Sequence, residues 1–182
     1  MNKLFKTLSF LAVIALFATA CIPAVVNVAQ AAPVEADYQA VLGKPVSDNS
    51  VVNFIASNRC FAASQFHLCQ DAGMALWIGP NEKVNTVYLY AAGANGFVAY
   101  KGELPFGIDA SDSMADVEQK LGQPKVEHAP QAGWEPGLPD AGSSPDHLRY
   151  WAVYERFRVT IVYNTPFAND KDASIHAILV NQ

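Results

Sequence analysis

Residues 74–91 read MALWIGPNEKVNTVYLYA, and this stretch decides the fold class. Two apolar runs, residues 74–78 and 84–91, flank a short segment, residues 79–83, that is rich in turn-forming residues. Runs of β-branched and aromatic residues on either side of Gly, Pro and Asn predict an antiparallel hairpin. The chain is therefore expected to build its core on an antiparallel sheet.

A second set of strands is predicted in the C-terminal part of the chain. Residues 156–163 and 174–180 are apolar runs separated by a polar loop around residues 169–172. Residues 148–154 form a further apolar run ahead of them. The pattern of strands joined by turn residues matches that of residues 74–91.

Helical signals precede both hairpins. Residues 36–45 (ADYQAVLGKP) and 115–124 (ADVEQKLGQP) are identical at five of ten positions, with an offset of 79 residues. Each predicts a short helix that ends at Gly43 or Gly122 and cannot resume beyond the proline two residues later. In the second copy, Ser113 is followed three residues later by an aspartate, an acidic form of the capping box.

The order of helix and then antiparallel strands thus occurs twice, which predicts an α+β fold of two divergent repeats packed as one domain. The predicted boundaries are residues 1–31 for a signal peptide, 32–101 for the first repeat and 102–182 for the second. The first repeat is expected to have an additional helix at residues 48–58, and the second a long Pro/Gly-rich loop at residues 127–147.

A helix ending in Leu-Gly-x-Pro and covered by antiparallel strands resembles the module of BamE/SmpA-type outer-membrane lipoproteins. Two such modules in tandem resemble the β-lactamase inhibitor protein family. The resemblance spans most of residues 36–182 in element order, and in residue identity it rests on the two helix ends. It implies a concave, aromatic-rich sheet that grips a partner protein. That family has a disulfide in each repeat, whereas this chain has a cysteine pair only in the first, so a β-lactamase target is not carried over.

The N-terminus has the pattern of an export signal. Lys3 and Lys6 precede an apolar stretch, residues 8–20, interrupted only by Ser9 and Thr19. A short positive region followed by an apolar run of this length is typical of a secretory signal peptide. A bilayer span needs about 20 apolar residues, and polar residues interrupt the run first. We therefore expect a periplasmic or secreted protein.

Two cleavage sites remain open. The tripeptide at residues 29–31, Ala-Gln-Ala, has the form that signal peptidase recognises, which predicts a mature chain starting at Ala32. Residues 18–21, Ala-Thr-Ala-Cys, resemble a lipoprotein box, in which Cys21 would be acylated. Only the second alternative predicts a membrane-anchored lipoprotein.

The two remaining cysteines, Cys60 and Cys69, predict a disulfide, because an even pair in an exported chain is typically oxidised. Closing a loop of this size stabilises a fold by about 2–3 kcal/mol in the chain-entropy model. His67 lies between the two thiols, but the spacing lacks the close Cys-x-x-Cys pair of common zinc sites. We therefore predict no metal.

Charge excludes one class of partner. Without Lys3 and Lys6 the chain has 10 basic and 17 acidic residues, a net charge near −7. Nucleic-acid binding requires a basic surface, so no nucleic acid is expected. A membrane partner is expected only if Cys21 is lipidated.

The strongest candidates for a binding surface are aromatic. Val87 and Leu89 alternate with Tyr88 and Tyr90, so one strand face is aliphatic and the other carries two tyrosines. Tyr, Trp and Arg are the residues that most often anchor protein interfaces; the alternative is that these aromatic residues pack the core or the seam between the repeats. The predicted binding residues are Tyr88, Tyr90, Trp134, Tyr150, Tyr154, Arg156 and Arg158.

Signals for catalysis are weak. The histidines lie in different segments, and no nucleophile elbow, metalloprotease helix or phosphate-binding glycine loop occurs. Asp112 and Asp116 are read as charges near a helix N-terminus rather than as an acid–base pair. We therefore predict a non-enzymatic, cofactor-free binding module of the inhibitor or immunity type. An envelope-assembly accessory lipoprotein and an enzyme with a dispersed site are the alternatives.

Overall fold

The computed structural model describes residues 37–91, 96–128 and 149–182, all within one compact domain, Ala31–Gln182. The predicted signal peptide, Cys21 and Trp134 lie outside the described ranges. The described residues form an α+β fold, as predicted. None of their helices is long and apolar enough to cross a membrane.

Two α-helices and eight strands make up the described fold. The helices are α1 (Asn49–Ser57) and α2 (Met114–Leu121). The strands are β1 (Phe61–Ala63), β2 (Phe66–Cys69), β3 (Met74–Ile78), β4 (Val84–Tyr90), β5 (Val126–His128), β6 (Tyr150–Tyr154), β7 (Val159–Tyr163) and β8 (Ile175–Asn181). They form one antiparallel sheet in the order β1-β2-β3-β4-β8-β7-β6-β5.

The described elements follow the same order in both halves of the chain. A 3₁₀ turn, an α-helix, two strands, a second 3₁₀ turn and two more strands form the first unit, and the same series forms the second. The turns of the first unit are Tyr38–Ala40 and Gln70–Ala72, and those of the second are Pro105–Gly107 and Glu155–Phe157. The last strands of the two units, β4 and β8, pair at the centre of the sheet.

Both α-helices begin where the sequence predicts them. Asp48 caps α1, because its carboxylate accepts a hydrogen bond of 2.8 Å from the Ser50 amide. The capping box predicted for α2 is confirmed, with Ser113 and Asp116 bonding each other's backbone amides. Local cap chemistry therefore determines where each helix starts.

The prediction of a helix at residues 36–45 is wrong. Only a 3₁₀ turn, Tyr38–Ala40, forms there. The chain then enters the sheet: the Gly43 amide donates to the Val84 carbonyl at 2.8 Å, and the Val84 amide donates to the Lys44 carbonyl at 2.9 Å. These bonds use backbone groups that a helix would need. The α-helix in this part of the chain is α1, so residues 36–45 and 115–124, despite their sequence identity, do not form the same kind of element.

The strand predicted at residues 156–163 starts later than expected. Glu155–Phe157 is a 3₁₀ turn that ends at Arg158, whose φ of 54° is left-handed. The strand proper, β7, runs over Val159–Tyr163. The turn reverses the chain between β6 and β7 and so makes them neighbours in the sheet.

The two faces of the sheet carry separate clusters of buried residues. On the first face, Val87 and Leu89 pack in one cluster with Val51 of α1 and Val117 of α2, so this face lies under the helices. The opposite face, called the second face below, carries the other cluster, which includes Tyr88, Tyr90, Trp151, Val162 and Leu179.

Candidate functional site

Tyr88 and Tyr90 lie on the second face, but the prediction that they are exposed is wrong. They are 3% and 0% exposed. After β4 the chain turns back, and Phe97 stacks on Tyr90 with ring centroids 4.2 Å apart. The Tyr100 amide secures this return by donating to the Tyr90 carbonyl at 2.8 Å. Both tyrosines therefore contribute to a core rather than to an open surface.

Tyr150 and Tyr154 are also buried, contrary to the prediction. They are 4% and 3% exposed and belong to the helix-covered cluster. Because Trp151 pairs with Val162 across β6 and β7, Trp151 occupies the second face and its two tyrosine neighbours do not. The structure therefore supports the alternative interpretation, in which these aromatic rings pack the core.

Burial also raises the pKa of two phenols. Desolvation raises the pKa of Tyr88 and of Tyr163 well above the ordinary value of 10. At Tyr163 the neighbouring Tyr154 adds to this shift of the pKa. Both phenols, neutral at physiological pH in any case, therefore stay neutral to a higher pH.

Among the described aromatic side chains of the second face, the least buried lie at its β1–β3 end. Phe66 and Trp77 are directly opposite each other across β2 and β3 and are half-buried, and Phe61 of β1 is 48% exposed. Phe61, Phe66 and Trp77 are called the aromatic margin below. Phe66 contacts Tyr88 edge to face at 5.8 Å, which joins the margin to the buried cluster.

The aromatic margin escaped the sequence-based prediction, although a signal for it existed. In a hairpin of β3 and β4, Trp77 shares a face with Ala75, which pairs with Tyr88. The alternation that assigned Tyr88 to the second face therefore assigned Trp77 to it as well. The sequence alone does not indicate which part of that face is left uncovered.

Arg156 and Arg158 are exposed, as a binding role would require, but they lie away from the second-face cluster, on the turn between β6 and β7. The Arg156 guanidinium lies 5.6 Å from the centre of the Phe157 ring. Phe157 in turn contacts Phe106, with ring centroids 4.9 Å apart. These residues form a small cation–aromatic group at the end of the sheet.

The disulfide between Cys60 and Cys69 is confirmed. It links the residue before β1 to the last residue of β2, and the Cys60 amide donates to the Ile55 carbonyl of α1 at 2.9 Å. Burial lowers the pKa of His67, which lies between the two cysteines. Among the residues that the structure describes, no three His, Cys, Asp or Glu side chains are grouped as metal ligands.

The aspartates before and within α2 are used locally. Hydrogen bonds from Ser113 lower the pKa of Asp116, and hydrogen bonds from Ser111 lower that of Asp109. Asp112 forms an ion pair of 2.6 Å with Lys120. Each carboxylate therefore has its own structural partner, which agrees with the interpretation of Asp112 and Asp116 as helix-terminal charges.

Comparison with protein families, with curated proteins and with solved structures finds no match for this chain.

Proposed function

We propose that this protein is an exported, non-enzymatic binding module of the inhibitor or immunity type, and that it holds a partner protein at the aromatic margin. One observation carries the proposal: Phe61, Phe66 and Trp77 share one sheet face and are at least partly exposed, whereas the other aromatic residues of the second-face cluster are buried. Exposed aromatic groups bounded by a rigid sheet are typical of interface anchors.

Two contacts fix the margin before a partner arrives. The Trp77 indole N–H donates to the Gln65 side-chain oxygen at 3.2 Å, which orients the ring. Phe66 rests against the buried Tyr88 ring. Anchors that are already ordered lose little rotamer entropy on binding, and this favours affinity.

We further propose that the two units are copies of one helix-and-sheet repeat. Three elements of the first unit have the same lengths as their counterparts in the second. The turn Gln70–Ala72, β3 and β4 correspond to the turn Glu155–Phe157, β7 and β8, with 3, 5 and 7 residues respectively. The strand register shifts between Trp77 and Ile78 in one unit and between Val162 and Tyr163 in the other, which are equivalent positions. A common unit accounts for both coincidences, and it is compatible with the tandem-module resemblance.

This correspondence also supports the choice of surface. An offset of 85 residues places Phe66 and Trp77 of the first unit on Trp151 and Val162 of the second. Trp151 and Val162 are 9% and 1% exposed. The two units therefore differ where a partner would contact them, and the first unit holds the accessible pair.

The binding test compares three tagged forms of the mature protein as baits in periplasmic extract: wild type, Phe61→Ala/Trp77→Ala and the control Val52→Ala. Val52 is 48% exposed on α1, so the control removes an exposed apolar side chain elsewhere. We expect a protein recovered by wild type and by the control to be lost with the double variant. Equal recovery by all three forms, with unchanged circular dichroism, contradicts the proposed surface.

Export is tested separately by the intact mass of the purified protein. A mass that starts at Ala32 supports a free periplasmic or secreted protein. A diacylglyceryl addition at Cys21 supports instead the envelope-assembly lipoprotein alternative. An uncleaved N-terminus contradicts export altogether.

A further inference from the structure

A cleft of about 450 Å³ lies between the Tyr38–Ala40 turn and the segment that connects β4 to α2. Its walls include Asp37, Tyr38, Gln39, Tyr100, Glu103 and Phe106. Tyr38 and Tyr100 belong to the helix-covered cluster rather than to the second face. The cleft is therefore a different site from the aromatic margin, and its volume is within the range of small-ligand sites.

The described residues of the cleft wall supply negative charge without a matching cation. They include two carboxylates, Asp37 and Glu103, and no lysine, arginine or histidine. Asp37 uses one oxygen to accept the Gln39 amide at 2.9 Å. The ion pairs among the described residues use other acids, namely Asp112, Glu118 and Glu155.

Aromatic rings complete the same wall, and one of them is held there in a strained conformation. Phe106 is 49% exposed and has a φ of 59°, although a bulky side chain disfavours the left-handed region. Pro105, which is buried, precedes it, and the Phe157 ring supports its other side at 4.9 Å.

Two tyrosines line the cleft beside these carboxylates. Tyr38 is 6% exposed, and its hydroxyl accepts a long hydrogen bond of 3.5 Å from the Gln39 side-chain amide. The Tyr100 hydroxyl lies over Gly102, where an added Cβ would approach it to 2.2 Å. The absence of a side chain at Gly102 therefore leaves room for the Tyr100 ring in the wall.

We propose that this cleft binds an organic cation, an ammonium or guanidinium group on an alkyl chain. Carboxylates pair with its charge, and the half-exposed Phe106 ring attracts the cation and covers its alkyl part. The net charge near −7 of the chain without Lys3 and Lys6 favours the approach of such a ligand. The cation could be a free small molecule or a basic side chain of a protein, because both present the same group.

The test titrates the mature protein at low salt with three probes: the monocation butylguanidine, the monocation N-acetyl-arginine amide and the neutral isostere N-acetyl-citrulline amide. Tyrosine ring resonances report binding. We expect millimolar binding of the two cations and at least about fivefold weaker binding of the citrulline compound, since its urea group is uncharged and has fewer N–H donors. Tighter binding of butylguanidine assigns a free ligand, and equal or tighter binding of blocked arginine assigns a protein side chain.

Variants locate the site. Glu103→Gln is expected to weaken binding of the two cations about threefold, and Asp37→Asn/Glu103→Gln about tenfold. Asp71→Asn, which removes one exposed acid outside the cleft wall, is the control and should leave affinity unchanged. Two results would overturn the proposal. One is that the citrulline compound binds as tightly as the two cations. The other is that Glu103→Gln and the double variant bind the cations as tightly as wild type does. The Phe61→Ala/Trp77→Ala variant should bind the cations normally, so this result is independent of the proposed function.

Discussion

At the scale of single residues, Gly73 and Arg158 each end a 3₁₀ turn in a left-handed conformation but in different surroundings. Gly73 has a φ of 67° and ends the turn before β3, and Arg158 has a φ of 54° and ends the turn before β7. At Gly73 an added Cβ would lie 2.5 Å from the Val98 oxygen and the Tyr100 nitrogen, because the chain returns across this turn. Arg158 is exposed, so a side chain is tolerated there.

This difference predicts a large effect on stability for one substitution and a small effect for the other. Gly73→Ala should lower the free energy of unfolding by more than about 2 kcal/mol, since it adds both left-handed strain and a backbone clash. Arg158→Gly relieves left-handed strain at a cost in chain entropy, and should change the free energy of unfolding by less than about 1 kcal/mol. Urea unfolding of both variants is the measurement. A mild effect of Gly73→Ala would show that the crossing segment adjusts.

Acid stability also depends on single residues. Hydrogen bonds from neighbouring serines hold the pKa of three carboxyls below the ordinary value of 3.8, those of Asp48, Asp109 and Asp116. The unfolded chain lacks these bonds and so binds more protons near that pH. Their contribution to stability is therefore complete above about pH 5 and is lost as the pH falls through the lowered pKa values.

We expect the free energy of unfolding to fall below about pH 4, and to fall less steeply in Asp116→Asn, which still accepts the cap bonds but does not titrate. Chemical unfolding measured between pH 7 and pH 3 tests this. Asp71→Asn, an exposed acid elsewhere, is the matched control. An identical pH dependence in wild type and Asp116→Asn would contradict the assignment.

At the scale of elements, local sequence was sufficient for α1, α2 and the hairpin of β3 and β4, but not for residues 36–45, for the hairpin of β1 and β2, or for β5, which includes two residues of the predicted loop at 127–147. The strands at residues 74–78 and 84–90, and the caps of α1 and α2, follow from alternation and cap chemistry within a few residues. The helix predicted at residues 36–45 does not form, because Gly43 and Lys44 make backbone hydrogen bonds to the distant Val84 instead. The face of Tyr88 was predictable, whereas its burial depends on long-range packing that no local pattern encodes.

The effect of the disulfide on stability belongs to this same scale, because the bond joins the residue before β1 to the last residue of β2. Reduction, or the Cys60→Ala/Cys69→Ala change, should lower the free energy of unfolding by about 2–3 kcal/mol, since it restores the entropy of the unfolded loop. Alanine is preferred to serine because Cys69 is fully buried and a hydroxyl there would lack water. Urea unfolding with and without reductant measures the effect. Equal midpoints would mean that neighbouring contacts already restrict the loop.

At the scale of the whole described molecule, the β4–β8 pairing unites the two units and is itself symmetric. Tyr88 and Leu179 pair, and each is the fifth residue of its seven-residue strand. The pairs on either side, Thr86 with Asn181 and Tyr90 with Ala177, exchange strand positions in the same way. β4 and β8 are buried on both faces in the middle of the sheet. Separating the units would expose two long strand edges and both apolar clusters, so neither unit is expected to unfold alone.

A single cooperative transition should follow from this arrangement. Trp77 reports on the first unit and Trp151 on the second, so the variants Trp134→Phe/Trp151→Phe and Trp77→Phe/Trp134→Phe each retain one fluorescent probe. In each variant the fluorescence transition in urea should coincide with the loss of far-UV circular dichroism, which is the test of two-state unfolding. If one tryptophan changed its signal before the circular dichroism did, that unit would open independently. The symmetric central pairing would then not control the stability of the sheet.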